Sequence, residues 1–236
     1  MKIESLKFEG VSFCHDGQDP VMQNVEFDFP MNEILWVKAE EGAGKSSLLQ
    51  VLGGLQVPQS GKYLINGENV VEMSFEEFLP YRLQIGYSFD YGGLINNRTL
   101  FDNLMLPLLY HKTLEAKEAQ ERVQNMIRDF DITKFANERP AHVPGRVRKI
   151  TCLMRSLVMH PQMLLLDDPS VGLGQDSVYV FVDYVNKLRK EGYLKHVFVS
   201  SYDEHFMNLF NYQIIHLDEG QLYFQAVDPE KRAVHL

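Results

Sequence analysis

Cysteine is scarce in this chain. Only Cys14 and Cys152 occur, and their separation fits neither a disulfide framework nor a pair of metal ligands. The expectation is a reduced, cytosolic protein. No run approaches the roughly 18 uninterrupted apolar residues of a membrane span, so no segment is expected to cross a bilayer. The opening MKIESLKFEG places acids where a signal peptide needs an apolar stretch, and no export signal is expected. Positive charge is also short: 23 Lys and Arg face 32 Asp and Glu, a net charge of -9. That balance argues against a sequence-independent hold on nucleic acid or on an anionic membrane surface. Internal repeats and low-complexity tracts are lacking too.

What is present is a folding composition. The chain has 236 residues, 45% apolar and 11% aromatic, enough for a full core and far from a disordered composition. The first third reads as β. NVEFDF (24–29) alternates apolar and polar residues, and KYLINGENV (62–70) has strand character around an Asn-Gly turn. ILWVK (34–38) is a buried-strand run, and KSSLLQVLGGL is a short helix closing on Gly53 and Gly54. From about 99 to 160 the pattern turns helical. In HKTLEAKEAQERVQNMIRDFD the apolar positions Leu114, Ala119, Val123, Met126 and Ile127 are separated by charges. Strands return at MLLLDD (163–168), HVFVSS (196–201) and YQIIHLDEGQLYF, the last a hairpin around Asp218-Glu219-Gly220. Strands flanking a helical insert fit one α/β domain with a helical subdomain.

Residues 39 to 46, AEEGAGKS, follow the strand run and open the helix. They match the phosphate-cradling pattern G-x-x-x-x-G-K-[ST], with Ala39 where the first Gly usually stands. Glu40, Glu41, Gly42, Ala43 and Gly44 form the turn, and the two glycines permit backbone N–H groups to point inward. Lys45 is placed to reach the β- and γ-phosphates and Ser46 to offer a hydroxyl to Mg²⁺. Ser47 and the helix N-terminus complete the anion site. The second element is MLLLDDP, whose apolar run delivers Asp167 to a strand end, where a carboxylate orients the magnesium's water shell.

Taken in order, the motifs resemble the ATP-binding cassette (ABC) ATPases over essentially the whole chain. They are GVSF (10–13), the loop at 39–46, SGKYLING (60–67), IGYSFDYGGL (85–94), RTLFDNLMLPL (98–108), LMRSLVMHPQMLLLDDPSVGL (153–173) and VFVSSYDE (197–204). RTLFDNLMLPL and YGGL look most like two bacterial groups: the cell-division ATPase that partners a membrane subunit, and the ATPases of phospholipid-trafficking complexes. The resemblance implies a P-loop NTPase (RecA-like) core with an antiparallel β subdomain and an α-helical subdomain. A single domain over 1–236 is expected, with its core at about 1–89 and 160–236 and the helical part at about 90–159. It also implies ATP and Mg²⁺ as cofactors and an integral membrane subunit as partner. A homodimer or heterodimer of ATPases would sandwich ATP head to tail, on the cytoplasmic face of the inner membrane. Each ATP then lies between the phosphate loop of one subunit and an LSGGQ signature of the other.

The departures from that family cluster at the chemistry. The signature falls on Val143-Pro144-Gly145-Arg146-Val147. Pro144 lacks both the family's hydroxyl and a backbone N–H, and Arg146 replaces a Gly that allows close approach. Arg146 either obstructs that approach or reaches across the interface as a phosphate clamp. Arg148 and Lys149 either share the task or form a solvated helix face. Asp168 stands at the family's glutamate base, one methylene shorter, and a misplacement of about 1 Å can cost about a hundredfold. Tyr202 stands at the switch histidine. Asp90 replaces a Gln that touches magnesium and water, adding negative charge beside a triphosphate. Gly174 replaces an aspartate, with Asp176 close by, and His15 aligns with the aromatic that stacks on adenine.

The binding parts survive and the hydrolytic parts do not, so the expected function is ATP binding with weak or absent hydrolysis in a regulatory or assembly role. The competing expectation is a working transport ATPase in which Asp168 suffices, for example in lipid or lipoprotein trafficking. An ordinary second subunit would not restore an intact site. One interface would still use VPGRV, and the other would still use Asp168, Asp90 and Tyr202. A soluble ABC ATPase acting on ribosomes or DNA fits poorly with one cassette, no coiled-coil insert and an acidic balance.

Overall fold

Three buried apolar runs set the architecture. The strands β3 (Ile34–Lys38), β7 (Met163–Asp167) and β8 (His196–Ser200) are almost wholly buried, as strands covered on both faces must be. The computed structural model describes residues 1–17, 19–90 and 93–227, and every statement here concerns those residues. Tyr91 and Gly92, within the IGYSFDYGGL stretch, lie outside them. The other strands are β1 (Leu6–Cys14), β2 (Pro20–Asp28), β4 (Ser60–Ile65), β5 (Glu68–Asn69), β6 (Ile85–Ser88), β9 (Gln213–Asp218) and β10 (Gln221–Gln225).

Two sheets result. A six-stranded sheet has the order β10-β9-β3-β8-β7-β6 and is parallel except for the β9–β10 hairpin. A four-stranded antiparallel sheet has the order β2-β1-β4-β5. The fold is α/β, a mostly parallel sheet joined to an antiparallel sheet and helical parts.

Side-chain period 2 divides the large sheet's two faces between two cores. Ile34, Trp36, Leu164, Leu166, Val197 and Val199 pack with the helices of one face. Leu35, Val37, Met163, Leu165 and Phe198 face α1 (Lys45–Leu52) and the antiparallel sheet. The helical part comprises α3 (Leu100–His111), α4 (Ala116–Asp129) and α5 (Gly145–Leu157). In α4 the residues Ala119, Val123, Met126 and Ile127 are buried, the face that the spacing predicts. Leu114 falls just before α4 and packs on the same core. The stretch from 130 to 144 is turns and short 3-10 segments rather than continuous helix.

The strand expected at 24–29 starts earlier, at Pro20, and breaks its alternation at Asn24, whose φ is +47°. The register between β1 and β2 slips around this point, so the local pattern is that of a bulge. The Asn66-Gly67 turn and the Glu219-Gly220 turn both take positive φ, as tight hairpins require. Two helices begin with reciprocal capping boxes. Thr99 and Asp102 cap α3, and Ser74 and Glu77 cap α2 (Phe75–Arg82), a helix not anticipated from sequence that has Pro80 inside it. The buried Asn103 side chain bonds the N–H and C=O of Ile95 and the C=O of Thr99, which ties the chain before α3 to that helix.

His196, at the start of β8, is 2% exposed. Its Nδ1 lies 2.9 Å from the Asn32 N–H and its Nε2 lies 3.0 Å from the Ile3 carbonyl. An N–H can only donate and a carbonyl can only accept, so the neutral ring with its proton on Nε2 is the species that fits. Burial pushes its pKa down from 6.5 to about 4, against a smaller opposing effect of the Ile3 carbonyl. The folded-state pKa is below the unfolded one, so this stability is fully present above pH 6.5 and is lost as pH falls toward 4. Denaturation midpoints measured between pH 7 and pH 4 are expected to fall more steeply for the native chain than for His196→Gln. Parallel curves would contradict the assignment.

Among the described residues no helix is long and apolar enough to cross a membrane.

Candidate functional site

The loop after β3 is built around two left-handed glycines, Gly42 at φ +79° and Gly44 at φ +98°. A Cβ on Gly44 would lie 2.1 Å from Cγ1 of Val21, so both backbone and space require glycine there. Gly44 is the N-cap of α1 and supplies no side-chain cap. The first N–H groups of α1 therefore face the loop's concavity, an arrangement suited to an anion. Glu40, Glu41 and Gly42 are exposed, whereas Ala39, Ala43 and Gly44 are partly covered, with Ala43 N–H bonded to the Glu40 carbonyl at 3.2 Å.

The side chains that follow are already arranged. Lys45 is 6% exposed, and its ammonium lies 3.6 Å from the centroid of the Tyr202 ring, itself 55% exposed. Ser46 donates its hydroxyl to Oδ1 of Asp167 at 2.9 Å. Ser47 is bonded to Nε2 of His15 at 2.8 Å, and the His15 ring sits edge-on to Phe13. Asp167 ends β7 and is 5% exposed; burial pushes its carboxyl above the usual range, partly offset by the Ser46 hydroxyl. Nearby at the end of β6, the buried Ser88 hydroxyl has no hydrogen-bond partner among the described residues. A cavity of about 610 Å³ opens beside the loop between Ala39, Glu40, Tyr202, Trp36 and Tyr223. It gives the Tyr202 ring room to move off Lys45.

Asp168 follows Asp167 in the left-handed region, at φ +41°. Its N–H donates to the Ser200 carbonyl at 2.9 Å. Burial raises its carboxyl pKa, with Asp167 and Asp90 adding to the effect and Lys45 and Lys149 opposing it. Asp90 is paired with Lys149, whose ammonium lies 3.6 Å from Oδ1 of Asp90. The structure thus brings the loop, Ser46, Asp167, Asp168, Asp90, Tyr202 and His15 to one end of the parallel sheet.

Val143 to Val147 stand at the N-terminal end of α5. Val143 and Val147 are buried, whereas Pro144, Gly145 and Arg146 are exposed. The helix has no side-chain N-cap there, and the Pro144 carbonyl accepts from the N–H groups of Val147 and Arg148. Arg148 is exposed, and the solvated-face expectation is corrected only at Lys149. Arg148 folds back to donate to the Val143 carbonyl at 2.8 Å, and the Lys149 side chain is only 10% exposed. Sequence spacing hides this because Lys149 reaches partners 59 and 19 residues away. Gly174 is the N-cap of α6 (Gln175–Lys190), with Asp176 in its first turn.

The residues fit a magnesium-bound phosphate compound. A hydroxyl paired with a buried carboxylate offers the hard oxygen ligands that Mg²⁺ takes, usually one or two alongside substrate phosphates and water. The glycine cradle and Lys45 add inward N–H groups and a positive charge for the phosphates.

Comparison with known proteins agrees with this geometry. A sequence profile described as "ABC transporter" matches residues 22–171. The chain is 26% identical over 190 residues to the ABC transporter ATP-binding protein YtrE of Bacillus subtilis, covering 80% of this chain and 82% of that one. It is 28% identical over 170 residues to the methionine import ATP-binding protein MetN 1 of Acinetobacter baylyi, covering 72% of this chain and 48% of that longer relative. Among solved structures, the ATP-binding cassette MJ0796 in its post-hydrolysis dimer superposes with a TM-score of 0.83 at 22% identity, over 94% of this chain and 99% of that one. An ATP-binding subunit of an ABC transporter gives 0.82 at 20% identity, over 98% and 93%. With the phosphate loop assembled at the end of a parallel sheet and the family profile matching most of its length, the chain belongs to the ABC transporter family, as an ATP-binding subunit.

Proposed function

We propose that this chain is a nucleotide-binding subunit of an ABC-type membrane complex that holds ATP with Mg²⁺ and hydrolyses it slowly or not at all. ATP occupancy serves assembly or regulation. Lys45 and the loop N–H groups bind the phosphates, and Ser46 and Asp167, with Asp90 nearby, hold the metal. When bound, the metal supplies charge neutralisation of the phosphate oxygens. His15 and Tyr202 flank the nucleotide. The carrying observation is that Ser46, Asp167 and Lys45 are in place, whereas the position of the switch histidine holds Tyr202, stacked on Lys45.

The chain works as one cassette domain, with a core at about 1–89 and 160–236 and a helical part at about 90–159. It sits on the cytoplasmic face of the inner membrane against an integral membrane subunit, and no role in binding nucleic acid is proposed. Its ATP lies in a homodimer or heterodimer interface, facing Val143 to Val147 of the opposing copy in the homodimer. The solved cassette MJ0796 was captured as a dimer with ADP and Pi. This chain, of the same fold, is proposed to stall before that step.

Arg146 is exposed where the family has Gly, and its bulk is proposed to hinder closure of such a dimer. Light scattering with ATP and Mg²⁺ is expected to show Arg146→Ala self-associating at least as well as the native chain. Loss of association in that variant would instead assign Arg146 as a clamp across the interface.

A second reading, a working transport ATPase, draws on the carboxylate that Asp168 retains next to Asp167. Steady-state phosphate release discriminates the two. Rates near the ~10 s⁻¹ typical of enzymes, abolished by Asp168→Asn, would establish transport chemistry.

A further inference from the structure

Lys149 has no assigned role, and its surroundings give it one. It lies in the second turn of α5, and its side chain is almost entirely withdrawn from solvent. The ammonium donates to the Asp90 carbonyl at 2.9 Å and to the Asp168 carbonyl at 2.9 Å, and it lies 3.6 Å from Oδ1 of Asp90. Two of its three donors are used by the carbonyls, and the Asp90 carboxylate, beyond hydrogen-bond distance, is its ion-pair partner. One side chain of the helical part therefore joins the loop after β6 and the loop after β7, both of which carry acids of the candidate site.

Two physical consequences follow. Asp168 is held in a left-handed conformation that is uncommon for residues with a Cβ, although Asp tolerates it better than most. Such a conformation persists only when its surroundings over-determine it. Here the Ser200 carbonyl ties the N–H side of the residue and Lys149 ties the C=O side. The orientation of that peptide sets the direction of the Asp168 carboxylate. The second consequence is charge. Asp90, Asp167 and Asp168 are close enough to act on one another, and Lys45 and Lys149 are the cations that oppose them. Once Lys45 turns to a triphosphate, Lys149 remains as the cation compensating the acids.

We propose that Lys149 is a positioning residue of the nucleotide site, which locks the Asp168 peptide and neutralises Asp90 so that a magnesium-bound triphosphate can approach. The charge half of this proposal rests on the nucleotide-binding reading above; the peptide half does not. The acid that departs from the family at position 90 is thus matched by a cation reaching it from α5.

Two measurements test it on the full chain. Without nucleotide, Lys149→Met is expected to speed amide hydrogen exchange at Asp168 and, beyond Pro169, at Ser170 and Val171, with exchange in α1 and β9 unchanged. With ATP and Mg²⁺, calorimetry is expected to show Lys149→Met binding about tenfold more weakly, the scale of losing one charge-assisted contact. Adding Asp90→Asn to Lys149→Met should recover most of that loss. A role confined to folding would not be rescued by removing a second polar charge. Lys149→Gln, which keeps donors but no charge, should show native-like exchange at Asp168 and still weaken binding, and it serves if the Met variant fails to fold. Native exchange together with native affinity in the variants would overturn the proposal, as would weakened binding without rescue by Asp90→Asn. If the native chain itself bound no ATP, the nucleotide reading would fall, and exchange at Asp168 would still decide the peptide lock.

Discussion

Replacement of Lys45 by alanine is expected to weaken ATP binding by at least ~2 kcal/mol, or about thirtyfold. The ammonium is buried and points over the Tyr202 ring, so it is held beside the loop rather than roaming in solvent. A cation over an exposed aromatic contributes about 0.5–1 kcal/mol, whereas charge-assisted contacts to the β- and γ-phosphates contribute about 1.5–3 each. Phosphate therefore wins the ammonium from the ring, and the net gain is what alanine forfeits. The substitution leaves α1 intact, because Lys45 is its first residue and alanine is a strong helix former. Calorimetric titration of both proteins with ATP and Mg²⁺ reads the difference directly. Equal affinities would mean that the loop does not hold phosphate.

Restoring the family's residues is expected to raise ATP turnover at least ~100-fold, since one oxyanion-type donor or a base displaced by about 1 Å each carries that scale. The combined variant is Pro144→Ser, Arg146→Gly, Asp168→Glu and Tyr202→His. Its weak point is position 168. Asp is among the residues that tolerate positive φ, and glutamate at φ +41° costs about 1–2 kcal/mol of backbone strain. A hundredfold gain corresponds to about 2.7 kcal/mol, so the chemistry outweighs the strain. Pro144→Ser also supplies the N-cap that α5 lacks, which stabilises that helix by about 1 kcal/mol independently of catalysis. Phosphate release by the combined variant and the native chain gives the comparison. Equal rates would show that the altered residues are not what limits hydrolysis.

Much of the frame is legible in the sequence because it is carried by local chemistry. ILWVK, MLLLD and HVFVS announce buried parallel strands, Asn66-Gly67 and Glu219-Gly220 announce hairpins, and GAGKS announces the loop. The alternation in NVEFDF suggested a regular strand and hid the bulge at Asn24, since a positive φ at Asn leaves no mark on apolar period. The helix over 75–82, with Pro80 inside it, went unread although Ser74 and Glu77 have capping-box spacing. At the site, spacing identifies Lys45, Ser46 and Asp167 but not what holds them. The Tyr202 ring over Lys45 and the Lys149 link to Asp90 and Asp168 join residues far apart in sequence, and only the packed sheet end brings them together.

The central claim, that the chain holds ATP without breaking it, is tested most directly by recovering the nucleotide. Protein in excess over radiolabelled ATP with Mg²⁺ is freed of unbound nucleotide, incubated, denatured and chromatographed at intervals. The account predicts that the bound label remains ATP over many minutes, with Lys45→Ala retaining little label at all. Conversion of the bound label to ADP within seconds, lost in Asp168→Asn, would contradict it.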